Sequence, residues 1–426
     1  MSKYAMLNCW DDLNKGDLGI MLATVEEFKR IDSECEVIGI SSFNSEDPSF
    51  SDGHTLLRKF VPKIYPAIFG TLGIKIRGTY RKDIVSKLIG LVIENIRYYL
   101  CLHLPKKVAV KMLSKEEQRT LDAILECDVA FSKGGSVFTD YNSRRGAFAL
   151  IRLCRLYNLL HRFGVKYYIL GQSFGPVASK RGIKATNRVI DNAEKVFIRE
   201  NECALKYPLL HLKNPNVAFS NDVGFLIEPK FVDSYVVDHT CINVGMTIRG
   251  EENDNSYLLA IIEMLNYLVN KGNTCVHIFK QVAMDSEPDN IATDIILKKL
   301  DADIRKRVIY HKENFLPQEL CWLYGEMDYF IGTRLHSTIF SMSAGTPAIG
   351  IVYHGTKTQG VFDNIGVPEL IISGEVTSEK LIDRYEYMVE NRDEIVSKIS
   401  RGVNKAREEM TSAIKLIVQT AKGEEG

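Results

Sequence analysis

The sequence lacks the cysteine spacing of a metal site or of a disulfide framework. Its nine cysteines are an odd number, and no two of them form a Cys-x-x-Cys pair. Structural zinc sites and redox motifs usually carry such pairs, and small secreted domains pair their cysteines in even sets. No metal-ligand cluster is evident either. We therefore predict reduced thiols, no bound metal and no cofactor in a cytoplasmic protein.

An excess of one charge is also missing. The chain has 54 Lys and Arg against 54 Asp and Glu, a formal net charge of +0. A protein that holds nucleic acid through its overall charge is strongly basic, so we predict no nucleic-acid partner. With 426 residues, 45% hydrophobic and 25% charged, the chain has ordinary globular composition and enough length for two domains.

No apolar run is long enough to span a bilayer. The most apolar stretch, residues 88–104, is interrupted by Glu94 and Arg97, and it is shorter than the ~20 apolar residues that a spanning helix needs. We interpret it as a buried helix in preference to a helix on a membrane surface. The surface alternative stays open because Lys106 and Lys107 follow, which leaves peripheral contact with the inner face of a membrane as an alternative.

What the sequence does contain is two successive alternations of strand and helix patterns. Short apolar runs such as residues 4–9 and 242–248 precede helical patterns such as residues 255–271. This order is typical of α/β domains built on parallel sheets.

The stretch 328–366 carries the strongest local pattern. A buried strand at 329–331 is followed by apolar residues at helical spacing, and Gly345 stands where a helix usually ends. Arg334 and His336 fall in the first helical turn, which has unpaired N–H groups and a positive dipole. Together they form an anion site suited to phosphate or carboxylate. The plain alternatives are a surface arginine and a structural histidine.

Other candidate residues follow predicted strands as short polar or glycine-rich segments. Open parallel sheets bind ligands at the carboxyl ends of their strands. Lys133 either contacts a phosphate or points to solvent, and Arg199 either binds a ligand or forms a surface pair with Glu200. The remaining candidates are Gly16, Asp17, Gly134, Gly135 and Gln172, the last of which follows a predicted strand at 167–170.

The block 332–351, GTRLHSTIFSMSAGTPAIGI, with Lys357 downstream, resembles the C-terminal signature of the polysaccharide pyruvyl transferase family. Shorter segments along the chain resemble other family motifs in the same order. Two departures stand out. Lys133 replaces the first of three glycines, and Ser173 replaces the second glycine of Gly-Gln-Gly-x-Gly-Pro.

The resemblance implies an α/β fold with two Rossmann-like domains that face each other across a cleft in a GT-B-like arrangement. We predict an N-terminal domain at 1–230, on the acceptor side, with an irregular insertion at about 43–82. The C-terminal domain covers 238–392, on the donor side. Residues 393–426 form a C-terminal helix that packs back on the first domain, with a polar tail.

The resemblance also implies the reaction. Family members transfer the enolpyruvyl group of phosphoenolpyruvate to a sugar of a polysaccharide or its precursor, as a cyclic ketal, and release phosphate. His336 is the candidate for acid–base work or for a hydrogen bond to the leaving phosphate, and either Asp17 or Asp222 is the base toward the sugar. The predicted substrate-binding residues are Arg199, Arg334, Leu335, Gly16, Lys133, Gly134, Gly135, Gln172 and Lys357.

The predicted partners are phosphoenolpyruvate and a saccharide acceptor, with a lipid-linked acceptor left open. Two other functions stay open. One is a glycosyltransferase on the same frame, in which the helix-start arginine holds the diphosphate of a nucleotide sugar. The other is a non-catalytic saccharide-binding protein. The sequence indicates neither the oligomeric state nor the identity of the sugar.

Overall fold

The chain divides into two compact units in a computed structural model. Unit 1 contains Met1–Asp12, Thr24–Asp222 and Met410–Gly426, and unit 2 contains Leu13–Ala23 and Val223–Glu409. The structure describes residues 1–69, 84–233, 235–249, 255–284, 289–352 and 357–424.

The described residues form strands and helices in alternation. The strands are β1 (Lys3–Cys9), β2 (Glu36–Ser41), β3 (Ile64–Tyr65), β4 (Val129–Ser132), β5 (Gly135–Phe138), β6 (Tyr167–Phe174), β7 (Lys195–Ile198), β8 (Val217–Phe219), β9 (Ile242–Thr247), β10 (Thr274–Phe279), β11 (Val308–His311), β12 (Tyr329–Gly332), β13 (Ala348–Ile351) and β14 (Ile371–Ile372). The helices are α1 (Lys15–Ile31), α2 (Pro48–Asp52), α3 (Ile84–His103), α4 (Lys106–Ala109), α5 (Lys115–Leu125), α6 (Arg144–Phe163), α7 (Lys180–Asn192), α8 (Glu202–Lys206), α9 (Asn255–Lys271), α10 (Asp289–Lys299), α11 (Ala302–Arg305), α12 (Pro317–Gly325), α13 (Leu335–Ser343), α14 (Lys357–Ile365), α15 (Ser378–Glu390) and α16 (Arg392–Lys422).

Unit 1 is built on a parallel sheet with the strand order β3-β2-β1-β4-β6-β7-β8, and β5 pairs with β6. Strands β1, β4 and β6 are buried along nearly their whole length. This burial is typical of a parallel sheet with helices on both faces. The strand order reverses between β1 and β4, and that reversal creates the crevice where such sheets bind ligands.

Unit 2 has the strand order β11-β10-β9-β12-β13-β14, with every neighbouring pair parallel. Numbered within the unit this is 3-2-1-4-5-6, the order of dinucleotide-binding Rossmann folds. The reversal lies between β9 and β12. The predicted α/β class with two Rossmann-like units is therefore confirmed.

Two boundaries differ from the sequence-based prediction. Leu13–Ala23, which includes the first half of α1, groups with unit 2, although residues 1–230 were assigned to one domain. The reason is a connection between Leu13 and the segment after β10, where the Ala283 N–H donates to the Leu13 carbonyl at 2.9 Å. Helix α16 is also divided, and its end packs in unit 1, where Tyr168 donates to Thr420 Oγ1 at 2.8 Å.

The insertion at about 43–82 is less irregular than predicted. Its described part contains α2 and the edge strand β3, which pairs with β2 through Gly39↔Ile64. Prolines flank β3 at positions 62 and 66 and conceal it in the sequence, yet an edge strand tolerates proline. Residues 70–83 of the insertion lie outside the described residues.

The interpretation of residues 88–104 as a buried helix is wrong for one face of α3. Ile89, Val92 and Ile93 are each more than half exposed. Periodicity alone cannot separate an apolar face that is buried from one that points to solvent, because both repeat every 3.6 residues. None of the helices in the described ranges is both long and apolar enough to cross a membrane.

Candidate functional site

The switch point of the unit 2 sheet carries the first group of candidate residues. Strands β9 and β12 end there at Thr247 and Gly332. A Cβ on Gly332 would lie 2.4 Å from Cγ2 of Thr338, so only glycine permits this close turn into α13. The Thr247 and Ser337 hydroxyls are 2.7 Å apart and join β9 to the start of α13.

Arg334 is the N-cap residue of α13, one position before the predicted first turn. Its Nε and Nη2 donate to Oδ1 of Asp289 at 3.0 and 2.7 Å. The Arg334 side chain is 12% exposed and that of Asp289 is 2% exposed. Arg334 is therefore held in place by a buried carboxylate, while part of its side chain reaches the surface.

Asp289 is a site residue that the sequence analysis missed. Its Oδ2 accepts hydrogen bonds from the Gln281 and Val282 N–H groups at 2.9 and 2.8 Å. Burial raises the pKa of Asp289, and Arg334 and the two N–H groups oppose that rise. The carboxylate lies 45 residues from Arg334 in the chain, and no motif spacing connects the two.

His336 lies in the first turn of α13 and packs against the start of α1. A Cβ built on Gly16 would lie 2.3 Å from His336 Nδ1 and 2.7 Å from Cγ. The imidazole thus occupies the space that any larger side chain at position 16 would need. Gly16 was predicted as a substrate-binding residue, and in the structure it is the residue against which the His336 ring packs.

Asp17 is oriented by Asn14 at the N-terminus of α1. Asn14 Nδ2 donates to Asp17 Oδ2 at 2.7 Å, and Asn14 Oδ1 accepts from the Gly16 and Asp17 N–H groups at 3.1 and 3.2 Å. An asparagine that accepts from these N–H groups is an ordinary N-terminal cap. The half-buried Asp17 carboxylate is thus held in a fixed orientation, one residue after Gly16, which contacts His336.

Leu335 and Lys357 begin the two helices that follow β12 and β13. These strands are neighbours, and their carboxyl ends lie at the same edge of the unit 2 sheet. Both side chains are half-buried. Lys357 therefore starts its helix at the same edge as Arg334.

In unit 1 the turn after β4 contains Lys133, Gly134 and Gly135. Lys133 is 1% exposed, so the alternative in which it points to solvent is wrong. Gly134 and Gly135 have φ angles of 89° and 95°, a region that other residues rarely adopt. The turn lies at the switch point of the unit 1 sheet.

Gln172 supports that turn from the neighbouring strand. Its Nε2 donates to the Gly135 and Ser173 carbonyls at 2.9 and 2.8 Å. The sequence predicted that this strand ends before the Gly-Gln-Ser-Phe motif. In the structure β6 continues through the motif to Phe174. The reason is β5, which pairs with this part of β6 through Gly135↔Gln172 and Phe138↔Phe174.

Arg199 follows β7 and is the centre of a buried charged cluster. It is 1% exposed, forms an ion pair with Asp222 and donates through Nε to Ser173 Oγ. Its Nε lies 3.5 Å from Glu200 Oε2. The alternative of a surface Arg199–Glu200 pair is therefore wrong. The hydroxyl of Ser173, the second departure from the family motif, accepts from Arg199 and donates to Glu200.

Glu200 is the titratable group of this cluster that stands out. Burial raises its pKa to about 7, with Asp222 acting in the same direction, while Arg199 and the Ser173 hydroxyl at 2.9 Å oppose the rise. A carboxyl group with a pKa near neutrality is suited to proton transfer. The sequence offered only its position beside Arg199 as a signal.

The predicted site residues thus form one group in unit 2 and two groups in unit 1. In unit 2 the structure brings together Gly16 and His336, with Asp17 and Arg334 as their chain neighbours. In unit 1 it brings together Arg199 and Asp222, and separately Gly135 and Gln172. Within the described ranges, no three His, Cys, Asp or Glu side chains gather as they would around a metal ion.

Comparison with known proteins finds relatives by sequence and by structure. The Amylovoran biosynthesis protein AmsJ of Erwinia amylovora is 24% identical over 312 residues, which cover 68% of this chain and 72% of AmsJ. The UDP-GlcNAc 2-epimerase of Methanocaldococcus jannaschii has a similar structure, with a TM-score of 0.57 at 11% identity over 98% of this chain and 99% of that one. A glycosyltransferase of Rickettsia africae gives 0.53 at 10% identity over 100% and 99%.

The two solved structures share only the fold, which is of the GT-B-like class. The family comparison is more specific. The family model described as polysaccharide pyruvyl transferase matches residues 14–355, a range that includes every predicted site residue except Lys357. The chain is therefore a transferase and belongs to the polysaccharide pyruvyl transferase family.

Proposed function

We propose that the protein transfers the enolpyruvyl group of phosphoenolpyruvate to two hydroxyls of a saccharide, forming a cyclic ketal and releasing phosphate. The observation that carries this proposal is the placement of Arg334 and His336 together at the switch point of the unit 2 sheet. Family membership supports the transfer of a pyruvyl group, and the relative AmsJ is named for the biosynthesis of a polysaccharide.

The donor has a phosphate and a carboxylate, so its binding needs cationic side chains. In the proposal Arg334 binds one of these anions, with its guanidinium oriented by Asp289 from the opposite side. An arginine that is fixed in advance loses less side-chain entropy on binding. Lys357 starts α14 at the same edge of the sheet and supplies a second cation.

The reaction removes one proton from each of two sugar hydroxyls, and both protons must be placed on the products. The vinyl CH₂ of the donor gains a proton and becomes a methyl group, and the first sugar oxygen bonds to C2. The bond from C2 to the phosphate oxygen then breaks, the second sugar oxygen bonds to C2, and the remaining proton leaves with phosphate. His336 is the group that we assign to proton transfer at the donor, because it lies two residues from Arg334.

Of the two candidate bases, we propose Asp17. Its carboxylate is half-buried, is oriented by Asn14, and follows Gly16, which contacts His336. Asp222 is fully buried and its carboxylate is paired with Arg199, so a saccharide hydroxyl has less access to it than to Asp17. Asp17→Asn should therefore reduce kcat in a protein that remains folded.

The test is phosphate release from phosphoenolpyruvate with a panel of saccharide acceptors, run beside a panel of nucleotide sugars. Release of phosphate that depends on an acceptor, with a pyruvate ketal in the product by NMR, is the expected result. Transfer from a nucleotide sugar would instead indicate a glycosyltransferase. Saccharide binding without turnover of any donor would indicate a binding protein.

His336→Gln sharpens the test, because glutamine keeps a hydrogen-bond donor but has no transferable proton. We expect kcat to fall about 10²–10⁴-fold with little change in donor affinity. His211→Gln is the matched control, since His211 is an exposed histidine of unit 1 that pairs with Asp191. If His336→Gln turns over like the control, His336 does not transfer a proton.

A further inference from the structure

Helix α3 exposes its apolar side chains along one face. The exposed fractions of Ile89, Val92, Ile93, Ile96 and Tyr99 are 55, 58, 51, 54 and 61%. These positions follow the 3, 4 and 7 residue spacing that aligns side chains on a helix, and they share an arc of about 120°. A water-soluble surface helix normally turns such a face toward the core.

Glu94 and Arg97 of α3 turn the other way. Glu94 accepts from Arg152 at 2.8 Å and from Arg155 at 2.6 Å, and these two arginine side chains are only 3% and 4% exposed. Arg97 forms an ion pair with Glu117 and donates through Nε to the Met112 carbonyl at 2.7 Å. These ion pairs fix the rotation of the helix about its axis, so the apolar face is held outward.

The chain after this face is basic. Between Glu94 and Glu116 it contains no Asp or Glu, and its basic residues are Arg97, Lys106, Lys107, Lys111 and Lys115. Lys107 and Lys111 are exposed, and Val108 between them is 41% exposed. An apolar helix face followed by exposed lysines is the pattern of a helix that lies in the interface of an anionic membrane.

We propose that the outward face of α3 docks on an anionic lipid surface. The helix lies in the plane of the interface, with its aliphatic side chains below the headgroups, Tyr99 at headgroup level and Lys107 and Lys111 against lipid phosphates. Contact with a second copy of the chain is the less favoured alternative, because protein–protein interfaces are depleted in lysine. The proposal is independent of the donor and of the acceptor.

The experiment is co-sedimentation of the full chain with vesicles of phosphatidylcholine alone and with added phosphatidylglycerol. The wild-type protein should sediment with the anionic vesicles and much less with the neutral ones. Binding should weaken several-fold in 0.5 M salt, because salt screens charges at the surface. Absence of sedimentation with anionic vesicles would overturn the proposal.

Two variants separate this face from general surface hydrophobicity. Val92→Ser with Ile96→Ser should lower the partition coefficient about tenfold or more, since each residue gives up an apolar contact. The matched control is Leu205→Ser with Leu209→Ser, which changes two leucines of unit 1 that are 71% and 68% exposed. Equal loss of binding in both pairs would contradict the proposal.

Lys107→Glu with Lys111→Glu tests the charge without touching α3. We expect it to abolish the preference for anionic vesicles while thermal unfolding stays unchanged, and an unchanged preference counts against lipid docking.

Light scattering tests the alternative of a second copy. A dimer that dissociates in the Val92→Ser, Ile96→Ser variant, without vesicle binding by the wild type, would assign the face to a second copy.

Discussion

The two candidate arginines, Arg199 and Arg334, each follow a strand of a parallel sheet but differ in the charged groups around them. Arg199 follows a strand of the unit 1 sheet and Arg334 follows a strand of the unit 2 sheet. The side chain of Arg199 is 1% exposed, and two carboxyl groups lie against it. The side chain of Arg334 is 12% exposed and is held by one carboxylate. A similar place in the sheet therefore does not imply a similar task.

The difference lies in how much of each charge is already balanced inside the protein. Arg199 is opposed by Asp222 and, when ionised, by Glu200, so the unit 1 cluster is neutral or negative. An anionic ligand gains little from such a cluster unless Glu200 is protonated. Arg334 and Asp289 balance each other, with Lys357 starting its helix at the same edge. From this comparison we expect stability to depend mainly on Arg199 and donor binding mainly on Arg334.

The largest expected effect is on stability. Arg199→Ala leaves the Asp222 carboxylate buried without its cation, which should cost about 3–5 kcal/mol in the free energy of unfolding. Urea unfolding measures it. Adding Asp222→Asn to this variant should recover part of the loss, because the unbalanced charge disappears. A loss below about 1 kcal/mol would show that the cluster relaxes or is solvated, against the burial seen here.

Arg334→Ala should act on the donor more than on the fold. Loss of a charged hydrogen bond to a ligand costs about 2–5 kcal/mol, which raises the apparent KM for phosphoenolpyruvate by more than tenfold. Asp289 keeps its two backbone N–H donors, so unfolding should change less than in Arg199→Ala. The matched control is Arg307→Ala, an exposed arginine at the amino end of β11. An unchanged KM in a folded Arg334→Ala protein would refute the assignment.

Gly16→Ala tests the contact between α1 and the histidine. The new Cβ would overlap the His336 ring, which must move, and a displacement near 1 Å can lower kcat about 10²-fold. Gly272→Ala is the control, because a Cβ there meets no atom within 4 Å. Crystals of both variants would show the ring position. Normal kcat with a displaced ring would separate His336 from the reaction.

Much of the fold could be predicted from the sequence, because its signals are local. Buried strands in parallel sheets are short apolar runs, and a helix such as α9 has clear periodicity and the boundaries that the sequence indicated. Strand β3 and the extension of β6 were missed because pairing with a neighbour created them. Neither has a local pattern that differs from a loop.

The candidate site was predictable only where a motif carries it. Arg334 and His336 lie in one block of sequence, whereas their partners Asp289 and Gly16 come from distant segments. The same holds for Lys133, whose burial depends on the sheet around it and not on its neighbours in the chain. Glu200 is the clearest case, since its pKa is raised mainly by burial, which its own sequence neighbours do not reveal.

The smallest effect concerns the protonation of Glu200. Burial raises its folded-state pKa to about 7, above its value in the unfolded chain, so the folded state favours the protonated form. Glu200→Gln imitates that form and does not titrate. The wild type should therefore lose about 2–3 kcal/mol relative to this variant as pH rises from 5 to 8, with most of the loss below pH 7. Urea unfolding of both proteins across this range measures the difference. A difference that stays constant with pH would mean that Glu200 is ionised throughout, and the unit 1 cluster would then be negative at neutral pH and unsuited to an anionic donor.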